Sequence, residues 1–294
     1  MNDSIKYSII IPSYNRGGMI AKTIHSALNQ HYKNLEVIVV DDGSKDNTED
    51  VVRAIKDERL FYYKKNNEER GVARNYGALK ATGDYVNFLD SDDIVYPNHL
   101  EEANKFILKN ESPAIFYQGV EIPASNNGFK IQTEFKHGIN EDLIYGNPLL
   151  IMGIFMKRSI AIENPFNEER ILSASEDWEL WLRIGVKHPI AYNDVVTSGF
   201  IQHDERSVLT FNIEHLIKSK EALLRIVLSN KEIVNKYKGR TKAFIGSNYS
   251  YVALHLVLVK KNRLLAIKYA FKSIVAYPSG LFTRRFLAII KHML

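Results

Sequence analysis

The sequence predicts an α/β fold in which a mostly parallel sheet is flanked by helices and followed by a C-terminal helical extension. Two observations carry this expectation. Over the first 90 residues, short apolar runs rich in β-branched residues alternate with helix-like stretches. From about Asn212 onward only helical patterns remain. A third observation concerns chemistry, because the residues that follow the early apolar runs are unusually polar.

Taken in order, Tyr7–Ile11 is apolar almost throughout and ends at Pro12, as a strand covered on both faces would. Leu35–Val40, Leu60–Tyr63 and Tyr85–Leu89 repeat the pattern. Helices are expected near 18–30, 46–56 and 71–82, with Ser44 and Asp46 as caps for the second and Gly71 opening the third. Strand, helix and strand in succession imply parallel pairing with right-handed crossovers. Pro97 opens a helix through about Lys109, Ala114–Ile122 and Leu149–Met156 read as strands, and Ser125–Lys136 as a hairpin or loop. Glu176–Gly185 is a short helix, and further helices are expected near 212–229, 240–260, 263–276 and 281–293.

The 294 residues suffice for a large α/β domain plus an appendage, and 45% apolar with 25% charged residues is a globular composition. The chain has no cysteine, which excludes disulfides, thiolate metal sites and cysteine nucleophiles and fits a reducing compartment. Met1–Lys6 lacks the features of a signal peptide, so a cytoplasmic location is expected. The net charge of +5 is unevenly shared: residues 206–294 carry 17 Lys/Arg against three Glu, a net +14, leaving −9 on the first 205. A basic tail on an acidic body points to an anionic surface.

In an open parallel sheet, ligands bind beyond the carboxyl ends of the strands. Here those ends read Pro12-Ser13-Tyr14-Asn15-Arg16, Asp41-Asp42-Gly43-Ser44 and Asp90-Ser91-Asp92-Asp93. Asp90 and Asp92, two residues apart, can offer hard oxygen ligands to Mg²⁺ or Mn²⁺, which would then hold a diphosphate. The competing reading is an acidic turn capping the helix opened by Pro97. Gathering Asp41, Asp42, Asp90, Asp92 and Asp93 at one edge is repulsive unless a cation or hydrogen-bond donors offset it.

The blocks Tyr7-Ser8-Ile9-Ile10-Ile11-Pro12-Ser13-Tyr14-Asn15-Arg16, Val39–Ser44, Gly71-Val72-Ala73-Arg74-Asn75, Gly83-Asp84-Tyr85 and Phe88–Asp93 closely resemble, in order and spacing, family 2 glycosyltransferases with the GT-A fold. The likeness covers about residues 5–205. It implies a GT-A catalytic domain over 1–210, with nucleotide-sugar binding in 1–96 and the acceptor and catalytic part in 97–210, followed by a basic helical region over 211–294.

The resemblance further implies that Pro12, Tyr14 and Asp41 line a nucleobase pocket, with Asp41 accepting the base N–H. Arg74 would approach the donor's nucleotide or diphosphate, Asp90 would lie near the ribose with Ser91 beside it, and Asp92 would ligate the metal. In Ser175-Glu176-Asp177-Trp178, Asp177 would be the general base, while Glu176 and Trp178 would contact substrate. His203 would complete the metal shell. Bland readings stay open: Arg74 as a solvated helix arginine, Tyr14 as packing, Glu176–Glu179 as an ordinary acidic helix start, and His203 as a surface residue.

The expected activity is inverting, metal-dependent transfer from a nucleoside-diphosphate sugar, UDP-linked, to a carbohydrate or lipid-linked saccharide hydroxyl in bacterial surface polysaccharide or glycolipid synthesis. A sugar-nucleotide nucleotidyltransferase would want a glycine-rich phosphate loop after the first strand, and a dinucleotide oxidoreductase a G-x-G-x-x-G; neither follows Ile11. A non-catalytic membrane-associated scaffold of the same fold is the third alternative, opposed by the intact Asp90, Asp92 and Asp177. The run Tyr249–Val259 is too short to span a bilayer. The last helix, Leu281–Ile290, could lie at the inner face of the plasma membrane against anionic headgroups, or pack as a helical hairpin with a solvated basic face. Nucleic acid is not expected, since no zinc spacing or helix-turn-helix is seen.

Overall fold

The computed structural model describes residues 5–123, 129–131, 135–201, 212–259 and 262–293. In chain order the first elements are β1 (Tyr7–Ser13), α1 (Ile20–Leu28), β2 (Leu35–Asp41), α2 (Thr48–Ala54), β3 (Leu60–Lys64), α3 (Arg70–Lys80), β4 (Tyr85–Phe88), β5 (Ile94–Val95) and α4 (His99–Lys109). Then come β6 (Ile115–Pro123), β7 (Phe129–Ile131), α5 (Ile139–Asp142), β8 (Ile154–Lys157), α6 (Arg158–Glu163), α7 (Glu176–Lys187) and β9 (Ala191–Gly199). The remainder is helical: α8 (Ile213–Ser229), α9 (Lys231–Lys236), α10 (Thr241–Leu258), α11 (Arg263–Ala276) and α12 (Arg284–Met293).

The chain divides into two units, one of Met1–Phe135, Leu149–Arg170 and His188–His203, the other of Lys136–Pro148, Ile171–Lys187 and Asp204–Leu294. The first holds the sheet, ordered β3-β2-β1-β4-β8-β6-β9-β5 with β7 on β6. The expected parallel half is there: β1 pairs parallel with β2 and β4, and β2 with β3. Every residue of β1 and β2 is buried, which is why both strands read as largely apolar runs; the buried exceptions Ser8 and Glu36 satisfy each other, the Ser8 hydroxyl donating to Glu36 Oε1 at 2.6 Å. Each buried Ile or Val there contributes about 1.5–3 kcal/mol. Helix α3 packs closely on this core at Gly77, where a Cβ would meet Ile10 Cγ2 at 2.4 Å.

Beyond β4 the sheet turns mixed: β8 is antiparallel to β4 and β6, while β9 runs parallel to β6. The strand expected over Leu149–Met156 is shorter, because Ile151–Gly153 forms a 3₁₀ turn before β8. Buried Asn87 explains the turn, since its amide donates to the Met152 carbonyl at 2.8 Å and the Ile154 carbonyl at 2.9 Å. Phe116 and Phe155 stack at 5.0 Å in the core beneath. The N-cap of α2 is Asn47, which makes no side-chain capping bond, and the expected cap Asp46 sits one residue earlier, accepting from the Thr48 amide at 3.0 Å. Ser44 instead accepts from the Asn15 amide at 2.8 Å, joining the loops that follow β1 and β2.

The second unit is built of α5, α7 and α8–α12. Val252, Leu256, Tyr269, Phe286 and Ile289 form the heart of its α10–α11–α12 cluster. Gly246 lets α10 approach Tyr277, whose Cβ would lie 2.5 Å from an added Cβ. The last helix begins at Arg284, later than expected, because Pro278–Phe282 turns as 3₁₀.

Candidate active site

Three adjacent strands of the first unit end together. Ser13 of β1 pairs with Asp41 of β2, the Asp42 amide donates to the Ser13 carbonyl at 2.8 Å, and the Leu89 amide donates to Ile10 at 2.9 Å. Pro12, Tyr14, Asp41, Arg74, Asp90, Ser91 and Asp92 thus all belong to the carboxyl edge of β1, β2 and β4 or to the helix α3 packed on it. Pro12 is buried, whereas Tyr14 is 43% exposed and is not a packing residue.

Asp41 is fully buried and accepts from the Ser44 amide at 2.7 Å and from the Tyr62 hydroxyl at 2.6 Å. Burial first, then the bond to Asp41, pushes the Tyr62 hydroxyl far above its ordinary value, so it remains a donor. Asp42 has an architectural place. Its carboxylate accepts from Lys65 Nζ at 2.8 Å, the Glu68 amide at 3.0 Å and the Glu69 amide at 2.9 Å, so it organises the turn into α3. Burial opposes the Lys65 charge, but bonds to Asp42 and Glu68 outweigh it and raise the lysine's pKa.

Arg74 is 2% exposed, so the solvated reading of it fails. Its guanidinium donates to Asp90 Oδ1 at 2.7 Å and lies 5.3 Å from the centre of the Phe166 ring. After β4 the chain makes a tight turn, the Asp93 amide bonding to the Asp90 carbonyl at 3.1 Å. Thr23 Oγ1 pins that turn by donating to the Ser91 and Asp93 carbonyls at 3.0 and 2.8 Å. Buried Asp93 accepts from the Ile201 amide at 3.0 Å. These acids do not cap α4, whose N-cap Asn98 makes no side-chain capping bond.

Carboxylate oxygens of Asp90, Asp92 and Asp93 lie within 4.8 Å of one another. Three hard oxygen donors this close fit a divalent cation such as Mg²⁺ or Mn²⁺. His203 lies outside the described residues.

In the second unit, Glu176, Asp177 and Trp178 form the first turn of α7. Glu176 and Trp178 are buried, with Asp177 half-buried between them. Asp177 accepts from Asn147 Nδ2 at 2.9 Å and from the Trp178 amide at 2.7 Å. The Trp178 indole donates to the Leu143 carbonyl at 2.7 Å, which fixes the turn from the other side. Sequence reasoning passed over Tyr62, Lys65 and Asn147. The signal for the first two was available, because β3 ends at the same edge, Asp41 pairing with Lys64.

The sequence profile of the family described as glycosyl transferase family 2 matches residues 8–167, more than half of the chain. The chain belongs to glycosyl transferase family 2. Over 273 residues it is 30% identical to an uncharacterized glycosyltransferase of Rickettsia felis, covering 83% of this chain and 44% of that protein. The chain therefore spans less than half the length of that relative. It is 31% identical over 232 residues to WfaP of Escherichia coli, a UDP-Glc:alpha-D-GlcNAc-diphosphoundecaprenol beta-1,3-glucosyltransferase, covering 74% of this chain and 86% of WfaP. Among solved structures, S. aureus TarS 1–349 in complex with UDP-GlcNAc superposes with a TM-score of 0.65 at 17% identity, over 98% of this chain and 92% of that one. The mannosyltransferase PcManGT of Pyrobaculum calidifontis, in complex with GDP-Man and Mn²⁺, gives 0.63 at 17% identity, over 99% and 87%. The fold of this family 2 chain is GT-A, as the motif blocks implied. No helix among the described residues is long and apolar enough to cross a membrane.

Proposed function

We propose that this family 2 chain transfers a sugar from a nucleoside-diphosphate sugar, UDP-linked, to an acceptor hydroxyl with inversion at the transferred carbon. The carrying observation is the cluster of Asp90, Asp92 and Asp93 at the edge where Asp41 also ends. The acceptor oxygen attacks the anomeric carbon on the face opposite the phosphate. As the new C–O bond forms, the bond to the phosphate oxygen breaks, the nucleoside diphosphate leaves, and the hydroxyl proton passes to the Asp177 carboxylate. Bound by Asp92 with Asp90 adjacent, and with His203 as a further ligand, Mg²⁺ or Mn²⁺ would neutralise charge developing on the leaving diphosphate.

Asp41 recognises the base. A carboxylate has about four acceptor positions, so the bonds from Ser44 and Tyr62 leave capacity for a nucleobase N–H. Arg74 serves the donor through Asp90, Tyr14 and Pro12 border the base, Ser91 the ribose, and Glu176 and Trp178 the acceptor. The likeness to WfaP, which acts on a GlcNAc-diphosphoundecaprenol, supports a lipid-linked diphosphate saccharide as acceptor; the corresponding role is in surface polysaccharide or glycolipid synthesis.

Peripheral contact with anionic lipid at the inner face of the plasma membrane fits such an acceptor. Its support is Leu264 and Phe271, 81% and 66% exposed on α11, which also carries Arg263 and Lys268, and Phe282, 88% exposed two residues ahead of Arg284. Cosedimentation with phosphatidylserine vesicles but not with phosphatidylcholine ones is expected; equal pelleting with both would refute the electrostatic part.

The base assignment is tested by Asp177→Asn. Calorimetry should show donor affinity unchanged, while sugar transfer falls by about 10²–10⁴-fold. Weakened UDP-sugar binding with normal turnover would sink it.

A further inference from the structure

The turn that carries Asp177 is gripped from α8. Ahead of it, Ala174 sits at φ +66°, a left-handed conformation unfavourable for a residue with a Cβ, so something must hold the segment there. Ser219 Oγ of α8 lies 3.3 Å from Ser175 Oγ, and the next residue, Lys220, donates to that same hydroxyl at 2.9 Å. Lys220 is only 7% exposed. Its ammonium lies 5.2 Å from the centre of the Trp178 ring and 4.7 Å from that of Tyr251.

A methionine would fill nearly the same volume without desolvating a charge, so packing alone gives no reason for a lysine. The charge does have neighbours to act on. It attracts Asp177 and Glu176 of α7, while Arg285 of α12 and His255 of α10 oppose it. Tyr251 of α10 offers its ring to Lys220 and to Arg285, the latter at 5.6 Å.

We propose that Lys220 is a positioning residue: its buried ammonium, wedged between the Trp178 and Tyr251 rings, bonds Ser175 and attracts Asp177, and so fixes where the Asp177 carboxylate points. This rests on the reading of Asp177 as the base. Consistent with the geometry, burial lowers the lysine's pKa to about 8, so the grip loosens in a mildly alkaline range.

Lys220→Met separates this from a merely structural role. The expected pattern is an unfolding midpoint no lower than that of the wild type, donor KM within about twofold, and kcat at least about tenfold lower. The wild type should lose kcat as pH rises through about 8, and the variant should lack that limb. Amide exchange at Ser175 and Glu179, whose N–H groups close the turn onto Leu172 and Ser175, should quicken by about tenfold in the variant. Wild-type kcat, or unchanged exchange at both amides, overturns the proposal. Asp177→Asn is the control. If that variant transfers normally, the base reading has failed, and amide exchange in Lys220→Met alone then decides whether Lys220 holds the turn. Should Lys220→Met not fold, Ser175→Ala, which removes the hydroxyl that Lys220 grips, takes its place with kcat and amide exchange at Glu179 as the readouts.

Discussion

Negative charge is managed differently in the two units. At the sheet edge the aspartates are met mostly by direct hydrogen bonds: Asp41 by Ser44 and Tyr62, Asp42 by two backbone amides and Lys65, Asp93 by the Ile201 amide and Asp90 by the Arg74 guanidinium. On the first turn of α7, two acids sit beside one buried ammonium and two aromatic rings. Hydrogen bonds from fixed amides set the position of a carboxylate atom by atom, and they come with the backbone. A buried cation acts over a longer range and can be removed by one substitution. The edge is therefore rigid by construction, while the turn depends on Lys220.

The sharpest way to break this comparison is to exchange aspartates within the edge itself. Asp92→Asn should lower transfer by about 10³-fold and abolish Mn²⁺-dependent UDP binding in calorimetry, with function lost ahead of stability. Asp42→Asn should do the reverse, costing about 3 kcal/mol in urea unfolding because its amide faces donors that wanted a carboxylate. Metal-dependent donor binding should survive wherever that variant is folded. If Asp42→Asn instead kept full stability, the view that the edge is architecture first would fall.

How much of this was legible beforehand follows from the same physics. Strands β1, β2 and β4 are buried along their whole length because both faces of the sheet are covered there, so their largely apolar pattern is local and readable. The Asp90–Asp93 turn and the Glu176–Asp177 start were readable as motifs for the same reason. What escaped is long-range. Nothing near Asn87 tells that its amide will bend Leu149–Met156 into a 3₁₀ turn 65 residues away. Lys220 in Ile217-Lys218-Ser219-Lys220 looks like one more basic residue of a basic tail; only packing on Trp178 and Tyr251 singles it out. Arg74 was readable as a motif residue, yet its burial under Phe166 was not.

Each unit also holds a buried base whose charge burial opposes, His99 in one and Lys220 in the other, and these sharpen the comparison through pH. His99 is fully buried in the first, bonded through Nδ1 to Thr197 Oγ1 at 2.7 Å, with burial lowering its pKa from 6.5 to about 3. Burial lowers that of Lys220 from 10.5 to about 8. In both cases the unfolded chain holds a proton that the fold releases, so each makes stability rise with pH between its folded and unfolded values. The windows differ. His99 is neutral at pH 7 and begins to destabilise as pH falls below 6.5, whereas Lys220 is charged at pH 7 and its burden lifts only as pH climbs above 8. Each proton contributes a slope of up to about 1.4 kcal/mol per pH unit within its window. In chemical unfolding followed against pH, His99→Gln should flatten the acid window and leave the alkaline one. Lys220→Met should be the more stable protein at pH 7 and lose that advantage towards 10.5. A wild-type chain whose stability is level from pH 8 to 10 would mean that Lys220 carries no buried charge, and the grip assigned to it on the Asp177 turn would go with it.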